Sequence, residues 1–497
     1  MPVPALRIRT LNDAPPRGAG DFILYWMIAF RRPAWNYSLD RALEWCRDLN
    51  KPLLVLEPLR SGYPWASDRL HRFVIDGLKA NEGAFADSAE RGVRYLPYVE
   101  PERGAGSGLV EALAARAAVV VTDDYPCFFL PRMVAATAPR LPVRCEGVDS
   151  NGLLPLRAAS QSFTMAFHFR RWLQKNLREH LEEDQFPSRE PLKNLRLPPA
   201  PPLPKEIARR WPAADLDALT SGPAALAKLP IDHQVGLCDT PGGRDAAGKV
   251  LATFLKRRLE RYLERNDPAA DSASGLSPYL HFGHISAHEV FAAAAQREQW
   301  SPRELSTKAD GKNTGWWGVS PPLESFLDEL ITWRELGYNF CSQRGDYDQF
   351  TSLPDWAKKT LANHAGDPRE HLYSRAQFEQ AQTHDPLWNA AQRQLVREGR
   401  MHNYLRMLWG KKIVEWSATP QAALEVMIEL NNKYALDGRD PNSYSGIFWV
   451  LGRFDRPWAP ERPIFGSIRW MSSDNTAKKL HVKEYLAKYG PQRELFG

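Results

Sequence analysis

Apolar positions in the first third of the chain follow two different periods. Five short runs are apolar almost throughout, as the buried strands of a parallel sheet are: 22–30, 52–59, 93–100, 118–124 and 142–148. Between them, the stretches 38–50, 67–86 and 108–117 carry the helical period. This alternation predicts a doubly wound, Rossmann-like α/β domain with helices on both faces of a parallel sheet.

The pattern changes in the middle of the chain. The stretch 186–206, FPSREPLKNLRLPPAPPLPKE, is polar and rich in proline, which disfavours regular helix or strand and indicates a surface connector. From about residue 244 onward β-type runs vanish and the segments have helical periodicity. We therefore predict an α/β domain over 1–185, a proline-rich interdomain linker over 186–235 and an all-α domain over 236–497.

The composition, 43% hydrophobic and 25% charged, is that of an ordinary globular protein, but 17 tryptophans are more than a core usually needs. A net charge of +6 means that an anionic partner must meet a local basic patch. Five scattered cysteines without a C-x-x-C argue against a zinc module, a disulfide scaffold or a late four-cysteine iron–sulfur cluster. With no signal core and no membrane-length apolar stretch, the sequence predicts a cytoplasmic protein.

Two stretches imitate ligand-binding motifs. GGRDAAGKV (242–250) has phosphate-loop spacing, but Val250 stands where a magnesium-holding hydroxyl is needed and no strand precedes it, so a capped helix start is the better interpretation. His281, His284 and His288 share roughly one helix face. Because Glu289 is the one further ligand type close by, we predict cap and surface roles for them and no metal site.

Two segments of the helical half carry residues suited to a site. The run Ser274–Ser277 offers backbone N–H groups and hydroxyls that suit a diphosphate, although a simple helix cap explains it equally well. In FLDELITWRELGYNF, Glu329 and Trp333 are i,i+4 neighbours on a helix and Arg334 adjoins them. They suit a surface salt bridge beside a core tryptophan, or a carboxylate and an indole that hold a nucleobase.

A third segment, EGRMHNYLRMLWGKKIVEW (398–416), raises the same choice. Trp409 and Trp416 are seven residues apart, hence on one helix face and about 10 Å apart along its axis. This spacing suits core packing, and it also allows an electron to pass between indoles, with Trp388 one segment upstream. The later loop DGRDPN is a plausible floor for a polar cofactor. Its charged residues are Asp437, Arg439 and Asp440.

Together these segments resemble the photolyase/cryptochrome family, and within it the class II cyclobutane pyrimidine dimer photolyases. The resemblance covers about 236–487, where SGLSPYLHFG, GWWG, FLDELITWRE, DPLWNAAQ, MHNYLRM, KKIVEW and DGRDPN occur in the family's order and spacing. It implies a helical domain that binds FAD, active as the fully reduced anion. It also implies a monomer that acts on double-stranded DNA containing UV-induced pyrimidine dimers, flips the dimer out, and splits it with a light-driven electron. Such an enzyme is cytoplasmic and nucleoid-associated when bound to DNA.

Position by position, the resemblance gives residues of this sequence three roles. The FAD contacts that it implies are Tyr262, Ser274, Gly275, Leu276, Ser277, Arg334, Arg406, Asn431, Asp437, Gly438, Arg439 and Asp440. Arg406 and Asp437 pair under the isoalloxazine, and Asn431 lies near flavin N5. The lesion contacts that it implies are Glu329, Trp333, Met407, Trp449 and Arg469. The implied electron route has Trp409 nearest the flavin, then Trp388, then Trp416 towards solvent.

The N-terminal domain departs from the family pattern. AFRRPAWNYSL (29–39) stands where the family usually has an Asp/Arg-rich run, so an antenna deazaflavin, a folate or no second chromophore all stay open. A cryptochrome-like photoreceptor without repair activity is the alternative function, against which stand the retained lesion residues and the short C-terminal tail. Repair of (6-4) photoproducts fits less well, since MHNYLRM resembles the dimer-splitting pattern. A non-photochemical nucleic-acid-binding module would leave the FAD segment and the tryptophans unexplained.

Overall fold

The computed structural model of the protein describes residues 2–491, so the end of the predicted helical domain, 492–497, lies outside the described residues. The chain forms two compact units. The first comprises the chain up to Ser160 together with Asn176–Ala252 and Gly275–Arg303, and the second comprises Gln161–Lys175, Thr253–Ser274 and the chain from Glu304 onward. The units thus divide the chain at other residues than the predicted domain limits, which stay a prediction.

One sheet of six strands organises the first unit. The strands are β1 Ile8–Thr10, β2 Phe22–Trp26, β3 Leu53–Leu59, β4 Val93–Val99, β5 Ala117–Asp123 and β6 Cys145–Val148. Their order is β1-β6-β5-β2-β3-β4, and all pairs are parallel except β1 with β6. The predicted parallel sheet is confirmed. Strand β1 escaped prediction because its three residues are mostly exposed and carry no apolar run.

The α-helices of the described chain are numbered in chain order. Those before residue 300 are α1 Tyr37–Leu49, α2 Asp68–Ala86, α3 Leu109–Ala114, α4 Leu130–Thr137, α5 Ala166–Asn176, α6 Lys205–Arg210, α7 Leu216–Thr220, α8 Arg244–Thr253, α9 Ser277–His281 and α10 Ala287–Arg297. Those after it are α11 Pro321–Leu327, α12 Arg334–Gln343, α13 Asp355–Asn363, α14 Arg375–Glu379, α15 Pro386–Glu398, α16 Asn403–Trp416, α17 Pro420–Tyr434, α18 Pro441–Val450, α19 Ser473–Lys479 and α20 Lys483–Tyr489. Two π-helical stretches, Phe254–Arg258 and Asp328–Trp333, belong to the second unit.

The sheet is buried on both faces, because every residue of β2 and β5 is buried. At the carboxyl ends of these two strands the strand order reverses, which is where doubly wound folds usually bind ligands. Here Asp123 fills that position. Its carboxylate accepts hydrogen bonds from the backbone N–H groups of Ile28, Ala29 and Phe30 at 2.7–2.9 Å and from the hydroxyl of Tyr25 at 2.8 Å.

The second unit is helical. Apart from isolated bridges, its described residues contain no strand, which confirms the predicted all-α architecture. Helix α15 packs on α16 and on α20, and α12 packs on α18. None of the helices between residues 2 and 491 combines the length and hydrophobicity that a membrane crossing needs.

Candidate active site

Three tryptophans form a continuous row in the second unit. Asp385 caps α15 by accepting hydrogen bonds from the backbone N–H groups of Leu387 and Trp388. This cap fixes the start of the helix and places Trp388 in its first turn. The rings of Trp388 and Trp409 are parallel, with 5° between their planes and 6.5 Å between centroids. Trp388 also meets Trp416 edge to face at 6.0 Å. Because Trp388 lies between the other two, it fills the gap that their seven-residue spacing leaves.

Hydrogen bonds hold the two inner indoles of the row, Trp388 and Trp409, in place. Nε1 of Trp388 donates to the carbonyl oxygen of Trp409 at 3.0 Å, and Nε1 of Trp409 donates to Oε1 of Gln392 at 2.8 Å. Buried indole N–H groups need such partners, and each bond fixes the ring's orientation. Gln392 was missed from the sequence. Its position four residues after Trp388, on the same face of α15, was the available signal.

The outer end of the row reaches polar side chains. Trp416 is buried, but its ring contacts Tyr373 at 5.7 Å and the exposed His384 at 4.9 Å. The Tyr373 hydroxyl and Nδ1 of His384 are 2.7 Å apart. Lys412 lies 5.4 Å from the Trp416 ring and is paired with Glu415 at 2.6 Å. The row therefore runs from the buried interior of the unit to its surface.

An ion pair lies beside the inner end of the row. Arg406, three residues before Trp409 on α16, donates to Asp437 at 2.9 Å. Both side chains keep some exposure, 26% for Arg406 and 17% for Asp437, so the pair borders open space. Asn431 in the last turn of α17 is buried, and its amide donates to the Ser443 hydroxyl. The structure thus offers a cation, an anion and an amide of the kinds predicted for a flavin.

The loop DGRDPN owes its shape to helix caps. Arg439 has φ +64°, and its guanidinium donates to the backbone carbonyls of Asn432, Ala435 and Leu436 at the end of α17. Gly438 is required there, because a Cβ would lie 2.7 Å from a backbone carbonyl oxygen. Asp440 caps α18 through the backbone N–H of Asn442. These caps explain the loop without a ligand, and its contact with FAD stays a prediction.

Arg334 and Tyr262 are buried side chains of the same unit. Nη2 of Arg334 donates to the Tyr338 hydroxyl at 3.0 Å, and that hydroxyl donates to Asp440 at 3.4 Å, which joins α12 to the start of α18. The Tyr262 ring packs edge to face against Phe254 and Phe326. Burial raises the pKa of the Tyr262 hydroxyl far above its usual range, so it stays neutral.

The predicted phosphate run divides between the two units. Ser274 ends a stretch of the second unit, whereas Gly275, Leu276 and Ser277 begin a stretch of the first. Gly275 has φ +73°, and α9 begins at Ser277 directly after the buried Leu276. A shared role in binding phosphate therefore stays a prediction.

Glu329, the acidic residue predicted to contact the lesion, lies on a π-helical turn. We predicted Glu329 and Trp333 as i,i+4 neighbours on a helix, and both lie on one, the wider π-helix Asp328–Trp333. Arg265 donates to Glu329 at 2.9 Å and to Ser325 at 2.9 Å. Burial raises the pKa of Glu329, and the charge and hydrogen bond of Arg265 oppose that rise. Sequence reasoning missed Arg265, since it lies 64 residues away from its partner.

Cations surround the other predicted lesion tryptophan. Nζ of Lys411 lies 4.8 Å from the Trp449 ring centroid and the Arg469 guanidinium 5.9 Å from it. Arg469 also contacts the exposed Trp458 at 5.0 Å. Lys411 is fully buried and donates to the backbone carbonyl of Val450 at 2.6 Å, and burial lowers its pKa to about 7. The structure thus brings Trp449 and Arg469 together, while their roles at a lesion stay a prediction.

The remaining predicted lesion residues, Trp333 and Met407, are half-buried. Met407 follows Arg406 on α16, one residue from the ion pair with Asp437. An indole or a thioether with part of its surface free can contact a ligand at the surface of the unit.

Comparison with known proteins identifies the class first. No family model matches the chain. A bacterial class III photolyase from Agrobacterium tumefaciens superposes with a TM-score of 0.65 at 17% identity, covering 95% of this chain and 86% of that one. A Synechocystis cryptochrome gives a TM-score of 0.63 at 16% identity, covering 94% and 88%. The fold is therefore that of the photolyases and cryptochromes.

Sequence relatives narrow the assignment. The deoxyribodipyrimidine photo-lyase of Methanothermobacter thermautotrophicus is 34% identical over 488 residues, 97% of each chain. The rice enzyme of the same name is 34% identical over 498 residues, 97% of this chain and 90% of its own. That of Potorous tridactylus is 41% identical over 244 residues, about half of this chain. This chain belongs to the deoxyribodipyrimidine photo-lyase family.

Proposed function

We propose that this protein is a light-driven class II photolyase that splits cyclobutane pyrimidine dimers in double-stranded DNA. The family name of its relatives supports this activity, since they match over nearly the whole chain. The observation that carries the proposal is the tryptophan row beside an ion pair at its inner end. The three indoles are in contact from surface to interior, one pair parallel and one pair edge to face, and such a row suits a redox group at its buried end.

The donor set fits FAD. The edge of an isoalloxazine has both hydrogen-bond donors and acceptors, and Arg406, Asp437 and Asn431 provide a cation, an anion and a neutral amide. Arg334 is a further buried guanidinium, suited to the negatively charged part of such a cofactor. When bound and fully reduced, FAD supplies the electron that light sends to the dimer and that returns after the ring opens.

The chain's own residues have separate tasks in this proposal. Arg406 and Asp437 orient the cofactor and balance charge around it. Trp409, Trp388 and Trp416 carry electrons inward, so that an oxidised enzyme regains its active state. Burial and parallel stacking keep water away from the inner two rings.

The lesion side uses stacking and charge. Trp449 and Trp333 are half-buried and stack on the flipped-out bases, which is favourable for any base because every base has a π-face. Glu329 accepts or, when protonated, donates a hydrogen bond to the dimer's bases. Arg469 is exposed and provides a positive charge at the duplex.

The proposal extends to the cofactor and partner details that the resemblance implies. We propose a monomer that acts on nucleoid DNA in the cytoplasm. The proposal assigns no residue to an antenna deazaflavin or folate. In the first unit, the Asp123 carboxylate binds the loop after β2, and the residues from Phe30 to Asn36 are buried.

A single preparation tests the proposal. The purified protein is expected to carry FAD, visible in its absorption spectrum, and to restore the bases of a dimer-containing duplex in blue light but not in the dark. Absence of bound flavin, or equal results in light and dark, would contradict it. Light-dependent flavin reduction without repair would instead favour the photoreceptor alternative.

A further inference from the structure

A loop in the second unit is built around one histidine. The 458–470 loop carries Arg469 and Trp458, and it closes on itself through mutual backbone hydrogen bonds between Arg462 and Gly466. His364 follows α13 and packs directly against it, because a Cβ on Gly466 would lie 2.7 Å from Cδ2 of His364. The loop therefore rests on the imidazole ring.

Both ring nitrogens of His364 face carboxylates. Nδ1 lies 2.7 Å from Asp367 and Nε2 lies 3.5 Å from Glu461. A neutral imidazole has one donor and one acceptor nitrogen, so only the cation donates to both carboxylates. The 2.7 Å contact has the length of a charge-assisted bond.

Each carboxylate in turn holds the loop. The same oxygen of Asp367 accepts from the backbone N–H of Ile464 at 2.8 Å. Glu461 accepts from the Ser467 hydroxyl at 2.8 Å, while the backbone N–H of Ser467 donates to Thr360 at 2.9 Å. His364 thus connects α13 to both ends of the turn that precedes Arg469.

We propose that His364, as an imidazolium, is a positioning residue that holds the 458–470 loop in the shape that presents Arg469 and Trp458 to lesion-containing DNA. The part of this inference that concerns DNA rests on the proposed function. The part that concerns the loop does not depend on that function, because it is tested on the protein without DNA.

Charge around the ring sets the direction of the pH effect. The groups that face it are Asp367, Glu461 and, beside Asp367, Arg369, whose guanidinium donates to the Asp367 carbonyl. The hydrogen bond that the imidazole donates to Asp367 raises the pKa of His364, burial opposes this rise, and the contact with Glu461 adds to it. We call the imidazolium of His364 with its two carboxylate partners the clamp. Because the pKa of His364 is raised, the clamp is complete below the ordinary histidine pKa and is lost as the pH rises through the raised pKa.

Amide hydrogen exchange of the protein without DNA tests the loop. After correction for intrinsic rates, protection of the Ile464 and Ser467 amides is expected to fall about threefold between about pH 6 and about pH 8.5, the size of one exposed ion pair. His364→Gln should show the low protection at both pH values, and Glu461→Gln an intermediate one. Wild-type protection in His364→Gln would overturn the clamp.

His481 provides the matched control. It forms another ion pair with a carboxylate, that of Asp267 at 2.5 Å, and that partner likewise raises its pKa. His481→Gln should leave Ile464 and Ser467 unchanged at both pH values. If it lowers their protection as His364→Gln does, the effect is general electrostatics and the proposal fails.

DNA binding separates the two parts. The affinity of wild type for a dimer-containing duplex should weaken with rising pH by about threefold more than that of His364→Gln, at fixed salt. Equal pH profiles, with the amide result as expected, would overturn the role in presenting Arg469. If wild type does not prefer the dimer-containing duplex at all, the proposed function fails while the amide result still decides the clamp.

Discussion

The second unit contains two groups of tryptophans in opposite surroundings. Trp388 and Trp409 are buried, stack on each other, and donate their N–H groups to neutral oxygens. Trp449 and Trp458 keep exposed surface and lie within 5–6 Å of Lys or Arg side chains. A cation beside an indole disfavours removal of an electron from it but favours an anionic ligand next to it. The same side chain is thus suited to carry electrons in one place and to bind nucleic acid in the other.

The sharpest test of this contrast exchanges one ring. Trp409→Phe is expected to abolish light-driven reduction of the bound flavin, because phenylalanine is far harder to oxidise than an indole. Repair by chemically reduced enzyme should survive. The measurement is the flavin absorption spectrum during illumination, followed by a repair assay after chemical reduction.

Trp449→Phe is the matched control for that experiment, because it changes an indole of the cation-lined group. It should leave photoreduction intact. If Trp409→Phe retains photoreduction, the row serves packing and not electron transfer, and the proposed difference in function between the two groups is wrong.

Removing the other kind of indole should affect binding. Trp449→Ala is expected to weaken binding of a dimer-containing duplex by about 1–3 kcal/mol, the usual worth of one base–aromatic stack, with photoreduction unchanged. Fluorescence anisotropy with damaged and undamaged duplexes measures it. Equal losses on both duplexes would assign Trp449 to general DNA contact rather than to the lesion.

Lys411 joins the two groups, since it lies on α16 between Trp409 and Trp416 yet contacts Trp449. Its pKa of about 7 in the folded state lies below the unfolded value of about 10.4. As the pH falls, the unfolded state therefore binds the proton at a higher pH than the folded state does. The free energy of unfolding should decrease by about 1–3 kcal/mol as the pH falls from about 10 to about 7, and then level off.

Lys411→Met should abolish that pH dependence, as followed by denaturant unfolding across this range. Lys412→Met is the matched control, because Lys412 is a neighbouring lysine whose ammonium pairs with the carboxylate of Glu415. A wild-type slope in Lys411→Met would show that another group is responsible.

The smallest effect expected from this comparison concerns the support of the buried row. Helix α20 packs on α15, which carries Trp388, and Glu398 accepts from Tyr489 at 2.6 Å. Burial of Glu398 opposes its ionisation, but hydrogen bonds from Tyr489, Arg400 and Lys488 outweigh it and lower the pKa to about 2. The resulting stabilisation is complete above about pH 4.3, the unfolded value, and is lost as the pH falls towards 2.

Glu398→Gln should therefore reduce the free energy of unfolding by about 1 kcal/mol at neutral pH and by less in acid. Glu484→Gln, an exposed carboxylate of α20 itself, is the control and should have no measurable effect. If the two variants unfold alike, the cluster around Glu398 does not stabilise the docking of α20.

Periodicity predicted the sheet and the helical half, because burial leaves a local record in the sequence. It did not reveal which helices pack together. Helix α10 has the same period as its later neighbours, yet it belongs to the first unit. Contacts between distant residues decide that assignment, and one sequence does not record them.

The candidate site was predictable to a similar extent. Motifs indicated the row and the ion pair, whereas Gln392, Arg265 and Lys411 became visible only through their contacts. In the loop after α17 the motif was recognised, but much of its chemistry is helix capping by Arg439 and Asp440. A polar motif typical of a family can therefore serve the backbone as much as a ligand.

The π-helical turn Asp328–Trp333 has a consequence for protein engineering. Such a turn contains one residue more than an α-helix of the same length would use. Deleting a single residue there would relieve the bulge and leave a regular α-helix whose flanking segments keep their mutual orientation, because the bulge itself accommodates the extra residue. A one-residue deletion that leaves the protein folded would thus change the directions of the side chains within the turn, Glu329 among them, which makes the length of this segment a design variable separate from residue identity.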